Sequence, residues 1–403
     1  MTNATLLIVN CGSSSLKFAL FDTTKGEFVA DGIAQALGSK SANFSSNNAA
    51  LDGHAETKQN VDIPHADHAQ ALSLCLKSLN ETFDLEQSLV GVGHRVVHGG
   101  ESFNSSIVIN ANVRKEIEKC SPLAPLHNPA NLLGITLLEK RYPHLPQVAV
   151  FDTAYHQTMP QQAYRYAIPE KLYTELGVRR YGFHGTSHRY VAMATANSLA
   201  KPQTETSLIC AHLGNGASVC AIANGESIDT SMGMTPLEGL VMGTRSGDID
   251  PGVLPYLNNH GYSIDRIDKT LNKESGLLGL SNESNDMRTL TKLAENGHEG
   301  ARLAIDVFCF RLAKYIAAML VSIPNLDALV FTGGIGENSA HVRRQTSSHL
   351  KHLGFDLDTN ANLENGDATQ GVINTPSSRY KIMIIATDEE RMIAQDTLNL
   401  ITN

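Results

Sequence analysis

The sequence lacks several features that would place it in common functional classes. Its six cysteines are scattered and none forms a Cys-x-x-Cys pair, so we expect buried, reduced thiols and no disulfide framework. The longest apolar run, around residues 315–323, is too short to span a bilayer. The first residues carry no basic segment, so no secretory leader is expected. These absences predict a cytoplasmic protein with no membrane partner.

An excess of positive charge is also missing. The 32 Lys and Arg residues are outnumbered by 41 Asp and Glu, which gives a formal net charge of −9. A nucleic-acid binder would show a basic face, so we expect no nucleic-acid partner. The hydrophobic fraction of 42% and charged fraction of 18% are typical of a soluble globular protein. A chain of 403 residues exceeds what one hydrophobic core usually serves, so two domains are expected.

A strand–turn–strand pattern stands near the start of the chain. The apolar run Leu6–Val9 is followed by Gly12, by Ser13–Ser15 and by a second apolar run that contains Lys17. Serine hydroxyls and successive backbone N–H groups form a cradle of the kind that phosphate groups occupy, and Lys17 adds a positive charge. Taken alone, the same residues also fit an ordinary polar turn.

The pattern returns about half a chain later, which favours the phosphate interpretation. Residues 207–222 again place a Gly/Asn/Ser turn, around Gly214, between two apolar strands, and Asn224-Gly225 is a strong hairpin signal. Such a repeat indicates two related domains. A third glycine turn, residues 332–338, follows the apolar strand Ala328–Phe331 and matches neither a P-loop nor a dinucleotide fingerprint.

Three further segments bear on the site. The segment Asp229–Gly252 consists mostly of small and turn-forming residues with a few apolar anchors, and we interpret it as a structured site loop rather than a linker. Thr186 or Ser187 is expected to cap a helix that runs to about Leu199. His184 and His188 are four residues apart, but no metalloprotease Glu accompanies them, so no zinc site is expected. Residues 37–64 are polar and fit either surface loops or a solvated sheet.

Acidic residues follow two predicted strands. Asp152 follows the strand Gln147–Phe151, and ligands gather at the carboxyl ends of strands in open α/β sheets. Residues 388–390 follow the strand Lys381–Ala386 and begin a helix. Both groups have a structural alternative, Asp152 as a capping residue and residues 388–390 as acidic groups that complement the helix dipole.

Five motifs together closely resemble the acetokinase family, which belongs to the sugar kinase, actin and heat-shock chaperone ATPase superfamily. They are residues 10–18, 183–188, 212–218, 242–248 and 331–338. The resemblance implies an α/β fold with two duplicated domains of the actin-like ATPase, or ribonuclease H-like, type around a nucleotide cleft. It implies a first domain of residues 1–151 with about 391–403, a second of residues 152–390, and a homodimer. The implied reaction is reversible phosphoryl transfer from ATP to acetate, giving ADP and acetyl phosphate, with Mg²⁺, or Mn²⁺ in its place.

The resemblance also implies a role for individual residues. The catalytic set would be Arg95, Asp152, His184 and Arg245, with both arginines flanking acetate and the transferring phosphoryl group. Arg95 would also bind substrate, and the acetate methyl group would be lined by Val97, Leu126, Phe183 and Pro236. The nucleotide site would comprise Lys17, His212, Asn215, Gly216, Asp286, Met287, Arg288, Gly334, Ile335 and Asn338. Asn10 and Glu389, together with Asp152, would organise Mg²⁺ and its waters. The choice between Glu389 and Glu390 stays open, because Asp388 stands where many relatives have Asn; Cys11 and Tyr155 also depart from the common Ala and Phe.

These residue types suit a carboxylate acceptor. An unperturbed carboxyl titrates at about 4, so the nucleophile is already ionised at pH 7 and needs no general base. The difficulty is the approach of an anion to a polyanion, which arginines, histidine and Mg²⁺ can relieve. The alternatives are a propionate or other short-chain carboxylate kinase, and an actin-like or chaperone-like ATPase. The paired arginines disfavour the ATPase, since a hydrolase does not need to bind a carboxylate.

Overall fold

A computed structural model describes residues 4–48 and 57–402. The chain divides into two compact units, Met1–Ala154 with Asp388–Asn403, and Tyr155–Thr387. These divisions lie a few residues from the boundaries that the sequence analysis predicts. Residues 1–3, on which the expectation of no leader partly rests, and residues 49–56 of the polar segment lie outside the described residues.

The first unit is built on an eight-stranded sheet in the order β5-β4-β3-β2-β1-β6-β8-β7. Its strands are β1 (Thr5–Cys11), β2 (Leu16–Asp22), β3 (Glu27–Gln35), β4 (Asn43–Asn48), β5 (Thr57–Asp62), β6 (Leu89–Val96), β7 (Ile107–Val108) and β8 (Gln147–Phe151). Its helices are α1 (His68–Asn80), α2 (Leu85–Ser88), α3 (Ala111–Lys119), α4 (Asn128–Arg141) and, from the end of the chain, α16 (Glu389–Thr402).

Strand β1 is apolar along its length because it lies between two cores. Leu7 and Val9 belong to one core, which also contains residues of α1 and α4, whereas Leu6 and Ile8 belong to another with Ile393 of α16. Successive side chains of a strand point to opposite faces, so the alternation follows from strand geometry. A fully buried aliphatic side chain contributes about 1.5–3 kcal/mol, so this strand anchors the unit.

The second unit contains a five-stranded sheet in the order β11-β10-β9-β12-β13. Its strands are β9 (Leu208–Leu213), β10 (Ala217–Ala223), β11 (Glu226–Thr230), β12 (Ala328–Thr332) and β13 (Lys381–Ile384). Its helices are α5 (Gln161–Tyr164), α6 (Glu170–Leu176), α7 (Gly185–Ser198), α8 (Val253–Asn259), α9 (Ile264–Lys273), α10 (Gly276–Ser281), α11 (Met287–Glu295), α12 (Glu299–Met319), α13 (Gly333–Asn338), α14 (Ala340–Leu350) and α15 (Thr359–Leu363).

The two sheets share one pattern. In each sheet, a meander of three antiparallel strands is extended by two further strands. The order is β3-β2-β1-β6-β8 in the first sheet, where β6 and β8 run parallel to β1. The order is β11-β10-β9-β12-β13 in the second, where β12 and β13 run parallel to β9. The first unit adds β4 and β5 at one edge and β7 at the other. This repeat confirms the predicted α/β fold with two duplicated domains.

Several local predictions hold and two need correction. Within its described part, the polar segment at residues 37–64 forms the solvated sheet, as β4 and β5. The predicted capping by Thr186 or Ser187 is wrong: α7 already begins at Gly185, preceded by His184 in a left-handed conformation (φ 56°), so both hydroxyl residues lie inside its first turn. The third glycine turn is a short helix, α13, which begins at Gly333.

The cysteine prediction is confirmed, because all six cysteines are free and buried. Among the helices of residues 4–48 and 57–402, none combines the length and apolar character needed to cross a membrane.

Candidate active site

In the first unit, three parallel neighbouring strands bring polar side chains together at their carboxyl ends. Asn10 lies near the end of β1, Arg95 near the end of β6, and Asp152 directly after β8. Arg95 donates two hydrogen bonds to Asp152, from Nε to Oδ1 at 3.0 Å and from Nη2 to Oδ2 at 2.6 Å. Its third nitrogen, Nη1, donates to Asn10 Oδ1 at 3.4 Å. The two-point contact fixes the plane of the guanidinium.

Glu389, the first residue of α16, completes this group. Its Oε2 lies 3.9 Å from Arg95 Nε. Burial raises the pKa of Glu389 to about 7, and the nearby Asp152 and Glu390 act in the same direction against the charge of Arg95. Burial alone would lower the pKa of Arg95, but Asp152 and Glu389 outweigh it and the pKa is raised. The raised pKa shows that the ionised form of Glu389 is disfavoured here, so a bound cation would stabilise its negative charge.

Lys17 stands beside the same group. It pairs with Asn10 across the β1–β2 hairpin and, with Asn10, Arg95, Glu389 and Glu390, lines a cavity of about 20 Å³. Its side chain is exposed. The predicted positive charge next to the first turn is thus present in the folded unit.

In the second unit, His184 and Arg245 meet at Gly216. A Cβ placed on Gly216 would lie 3.3 Å from His184 Nε2 and 3.6 Å from Arg245 Nη1. Gly216 belongs to the turn between β9 and β10, the counterpart of the serine turn between β1 and β2. Because Gly216 has no side chain, the His184 ring and the Arg245 guanidinium can lie close to the backbone of this turn.

Arg245 differs from Arg95 in its electrostatics. Burial lowers the pKa of Arg245. No carboxylate of residues 4–48 or 57–402 lies within ion-pair distance of it, and its nearest polar contact is Met242 Sδ, 3.9 Å from Nη1. The segment that carries it is fixed by buried Leu240, Val241 and Met242, as expected for a structured loop. A partly buried cation without a counterion is a ready site for an anion.

A hydroxyl and two further histidines surround His184. Its Nδ1 lies 3.0 Å from Ser218 Oγ, and the same hydroxyl lies 2.8 Å from His188 Nε2. The His184 ring stacks on that of His212 at 4.4 Å between centroids. His212 Nδ1 in turn lies 2.8 Å from Ser187 Oγ. These contacts fix both the position and the rotation of the His184 ring.

A cavity of about 940 Å³ in the second unit contains most of the predicted nucleotide residues. That volume lies within the range of small-molecule and cofactor sites. The predicted residues that line it are Asn215, Asp286, Met287, Arg288, Gly334, Ile335 and Asn338. His212 and Gly216 adjoin it on β9 and on the turn that carries Asn215, and Lys17 belongs to the first unit.

Sequence reasoning missed several residues of this cavity. Asn285 donates a hydrogen bond from Nδ2 to Asn215 Oδ1 at 2.9 Å and so fixes the side chain of Asn215 in the turn between β9 and β10. Glu337 does not line the cavity, but it accepts hydrogen bonds from Gly333 N at 2.8 Å and Thr387 N at 3.2 Å and so fixes the first turn of α13, whose residues do line it. Other missed lining residues are Gly214, Thr291, Lys292, Glu295, Ser339, Ala340 and His341. Glu337 lies inside the third glycine motif, so a signal for it existed.

The four residues predicted to line the methyl group are divided between the units. Val97 (4% exposed) and Leu126 (53% exposed) belong to the first unit, whereas Phe183 (2% exposed) and the half-buried Pro236 belong to the second. No single unit brings the four together, and their role stays a prediction.

Each departure from the family pattern has a local partner. Cys11 Sγ would lie 2.6 Å from a Cβ on Gly134, so the larger side chain fits against a glycine of α4. Tyr155 uses its extra hydroxyl to donate to Gly225 O at 2.9 Å. Asp388 accepts from the backbone N of Arg391 at 2.9 Å and thus caps α16.

Comparison with known proteins gives matches over nearly the whole chain. The chain matches the Acetokinase family over residues 5–395. It is 52% identical over 402 residues to the acetate kinase of Stutzerimonas stutzeri, and the alignment covers 100% of both chains. A propionate kinase structure from Francisella tularensis superposes with a TM-score of 0.92 at 45% identity, covering 98% of this chain and 100% of that one. The acetate kinase structure from Porphyromonas gingivalis gives 0.88 at 41% identity, covering 99% and 100%.

Proposed function

The chain belongs to the acetokinase family and is a phosphotransferase with a carboxyl group as acceptor, and we propose that it transfers the terminal phosphoryl group of ATP to acetate. The products are ADP and acetyl phosphate, and the reaction is reversible. The observation that carries the proposal concerns Arg245, which has no carboxylate within ion-pair distance in the described part of the chain. It meets His184 at the turn that continues into the 940 Å³ cavity.

The nucleotide lies with its adenosine in that cavity and its phosphates at the turn of residues 214–216. Arg245 then neutralises charge on the oxygens of the phosphoryl group, and His184 donates a hydrogen bond to them, as the group moves in line from ADP to the acetate oxygen. Arg95, oriented by Asp152, binds the acetate carboxylate. Because that carboxylate is ionised at pH 7, transfer requires no general base.

Mg²⁺ fits the group around Arg95. Asp152 and Glu389 offer carboxylate oxygens and Asn10 offers an amide oxygen, which are ligands that Mg²⁺ prefers. Among the described residues, no three His, Cys, Asp or Glu side chains form a preformed metal cage, and Mg²⁺ usually keeps waters and binds phosphates besides one or two carboxylates. Asn10 and Glu389 would hold the ion, which when bound neutralises phosphate charge; Mn²⁺ fits the same ligands.

Acceptor choice has a second candidate. The similarity to a solved propionate kinase, at a TM-score of 0.92, favours propionate as an alternative acceptor. Val97, Leu126, Phe183 and Pro236 would set the chain length by enclosing the methyl group. One methylene in such a pocket is worth about 1–3 kcal/mol, so a preference between the two acids is measurable.

The deciding experiment is a hydroxylamine trap of acyl phosphate with ATP, Mg²⁺ and formate, acetate, propionate or butyrate. We expect acetate to give the highest kcat/KM and ADP formation to depend on it. ADP formed at one rate with and without carboxylate would favour the actin-like or chaperone-like ATPase instead. Arg245→Lys is the matched variant: it keeps the charge but loses the planar fork, so kcat falls about a hundredfold.

Assembly and compartment complete the proposal. The family resemblance supports a homodimer, which light scattering on the purified protein tests. Six free and buried thiols support the cytoplasm, where cysteines stay reduced.

A further inference from the structure

Ser218 lies between two histidines and makes a hydrogen bond to each. Its hydroxyl is fully buried on β10, 3.0 Å from His184 Nδ1 and 2.8 Å from His188 Nε2. A hydroxyl has one proton and two acceptor positions. The direction of each hydrogen bond therefore decides which nitrogen of His184 carries the proton.

His188 sets that direction. It is fully buried, and burial, with smaller contributions from His156 and His212, holds the pKa of His188 well below its usual value, so the ring is neutral. Its Nδ1 is buried and has no hydrogen-bond partner among the described residues. An unpaired buried N–H costs about 1–3 kcal/mol, and an unpaired acceptor is tolerated better. The single proton of His188 therefore lies on Nε2 and is donated to Ser218 Oγ.

The rest of the chain of hydrogen bonds follows. Since Ser218 Oγ accepts from His188, its own proton is available to His184 Nδ1. A neutral His184 then accepts at Nδ1 and carries its proton on Nε2. Nε2 is the nitrogen that lies against Gly216 and Arg245, 3.3 Å from the position of a Gly216 Cβ.

We propose that Ser218 and His188 are positioning residues that fix His184 in the Nε2–H tautomer, so that neutral His184 donates a hydrogen bond toward the phosphoryl group. The inference rests on the proposed function for the identity of the group that receives this bond. Without the relay, a neutral imidazole distributes its proton over both nitrogens, and part of the enzyme presents a lone pair to an anionic oxygen.

The position of the proton is measured directly on the wild-type enzyme. Long-range ¹H–¹⁵N correlation spectra of protein labelled with ¹⁵N-histidine distinguish protonated from unprotonated ring nitrogens, and His184→Asn identifies the His184 signals. At a pH where the ring is neutral, we expect protonated Nε2 and unprotonated Nδ1. A proton on Nδ1 would overturn the inference. This spectrum is independent of turnover, whereas failure of acetate-dependent ADP formation in the same enzyme would refute the proposed function.

Kinetics of variants supply the second arm. In Ser218→Ala we expect kcat to fall about tenfold, the equivalent of one hydrogen bond, with KM for acetate and ATP little changed. His188→Leu should show a similar loss, whereas His188→Gln, whose amide can place an N–H near the former Nε2, should keep most of kcat. Ser78→Ala is the control, because it removes another buried hydroxyl, which lies on α1 and 2.9 Å from Ser46 Oγ. If Ser218→Ala, like Ser78→Ala, lowers the melting temperature but leaves kcat unchanged, Ser218 is purely structural.

Discussion

The two arginines assigned to one reaction should respond in opposite ways when each is replaced by methionine. Arg95 is held by a carboxylate that is 1% exposed, whereas Arg245 is partly buried with no carboxylate within ion-pair distance among the described residues. Arg95→Met leaves the charge of Asp152 buried and unpaired. Arg245→Met removes a desolvated charge and leaves no partner behind. We therefore expect Arg95→Met to destabilise the protein and Arg245→Met to stabilise it.

The magnitudes follow from the same contacts. Breaking a buried ion pair by removing one partner costs about 3–5 kcal/mol. A single stabilising substitution typically gains about 0.5–2 kcal/mol. For a unit of 150–250 residues, 1 kcal/mol shifts the melting temperature by about 2–4 °C. Arg95→Met should thus melt roughly 6–20 °C lower and Arg245→Met roughly 1–8 °C higher than the wild type.

Calorimetry and steady-state kinetics on the same preparations test this. Both variants should lose at least about a hundredfold in kcat, because each loses a contact to the transition state. Arg302→Met, at an exposed position of α12, is the control and should leave both the melting temperature and kcat close to wild type. Equal destabilisation by the two active-site variants would refute the argument that Arg245 lacks a counterion.

Three further predictions use other parts of the site. Glu389→Ala should raise the Mg²⁺ concentration needed for half-maximal activity more than it changes KM for acetate, and Glu390→Ala should do much less; the opposite ranking in Mg²⁺ titrations would show that the wrong glutamate was chosen. Val97→Ala should raise the propionate-to-acetate ratio of kcat/KM by roughly tenfold. If the variant instead keeps the wild-type ratio and only loses the roughly 1–3 kcal/mol of stability that a core cavity costs, Val97 belongs to the core. Burial lowers the pKa of His94 and of His98 to about 4. Below about pH 6.5 the unfolded chain therefore binds more protons than the folded one, and stability falls between pH 6.5 and 4. His94→Gln should reduce this loss in melting temperatures measured across that range, and an unchanged slope would contradict the assignment.

Local sequence signals were enough to predict the hairpins that we propose bind the phosphates. The hairpins around Gly12 and Gly214 follow from apolar runs interrupted by turn residues. The short helix α10 was missed because tertiary contacts hold it, including a hydrogen bond from Leu277 N to Met242 O at 2.8 Å. Such contacts leave no periodic signal in six residues.

The candidate site was predicted as a set of residues but not as an arrangement. The rule on strand ends placed Asp152 at the correct edge, yet its pairing with Arg95 depends on β6 and β8 being neighbours, which the sequence does not reveal. The relay through Ser218 combines residues of α7 and β10 and is likewise a product of the fold. Capping of α7 was misjudged because His184 occupies a left-handed conformation that is uncommon outside glycine.

The return of α16 to the first unit has a consequence for biosynthesis. This helix is synthesised after the whole second unit, yet it packs so closely on β6 that a Cβ on Gly93 would lie 2.5 Å from Thr397 Oγ1. Domains usually fold in the order in which the ribosome releases them, but here the unit that starts the chain cannot close until residues 388–402 emerge. While residues 155–387 are synthesised, the first unit has no α16 to cover the face of its sheet that carries Leu6 and Ile8. The helix that covers this face also carries Glu389, so a nascent chain acquires this proposed Mg²⁺ ligand only after the second unit has been synthesised.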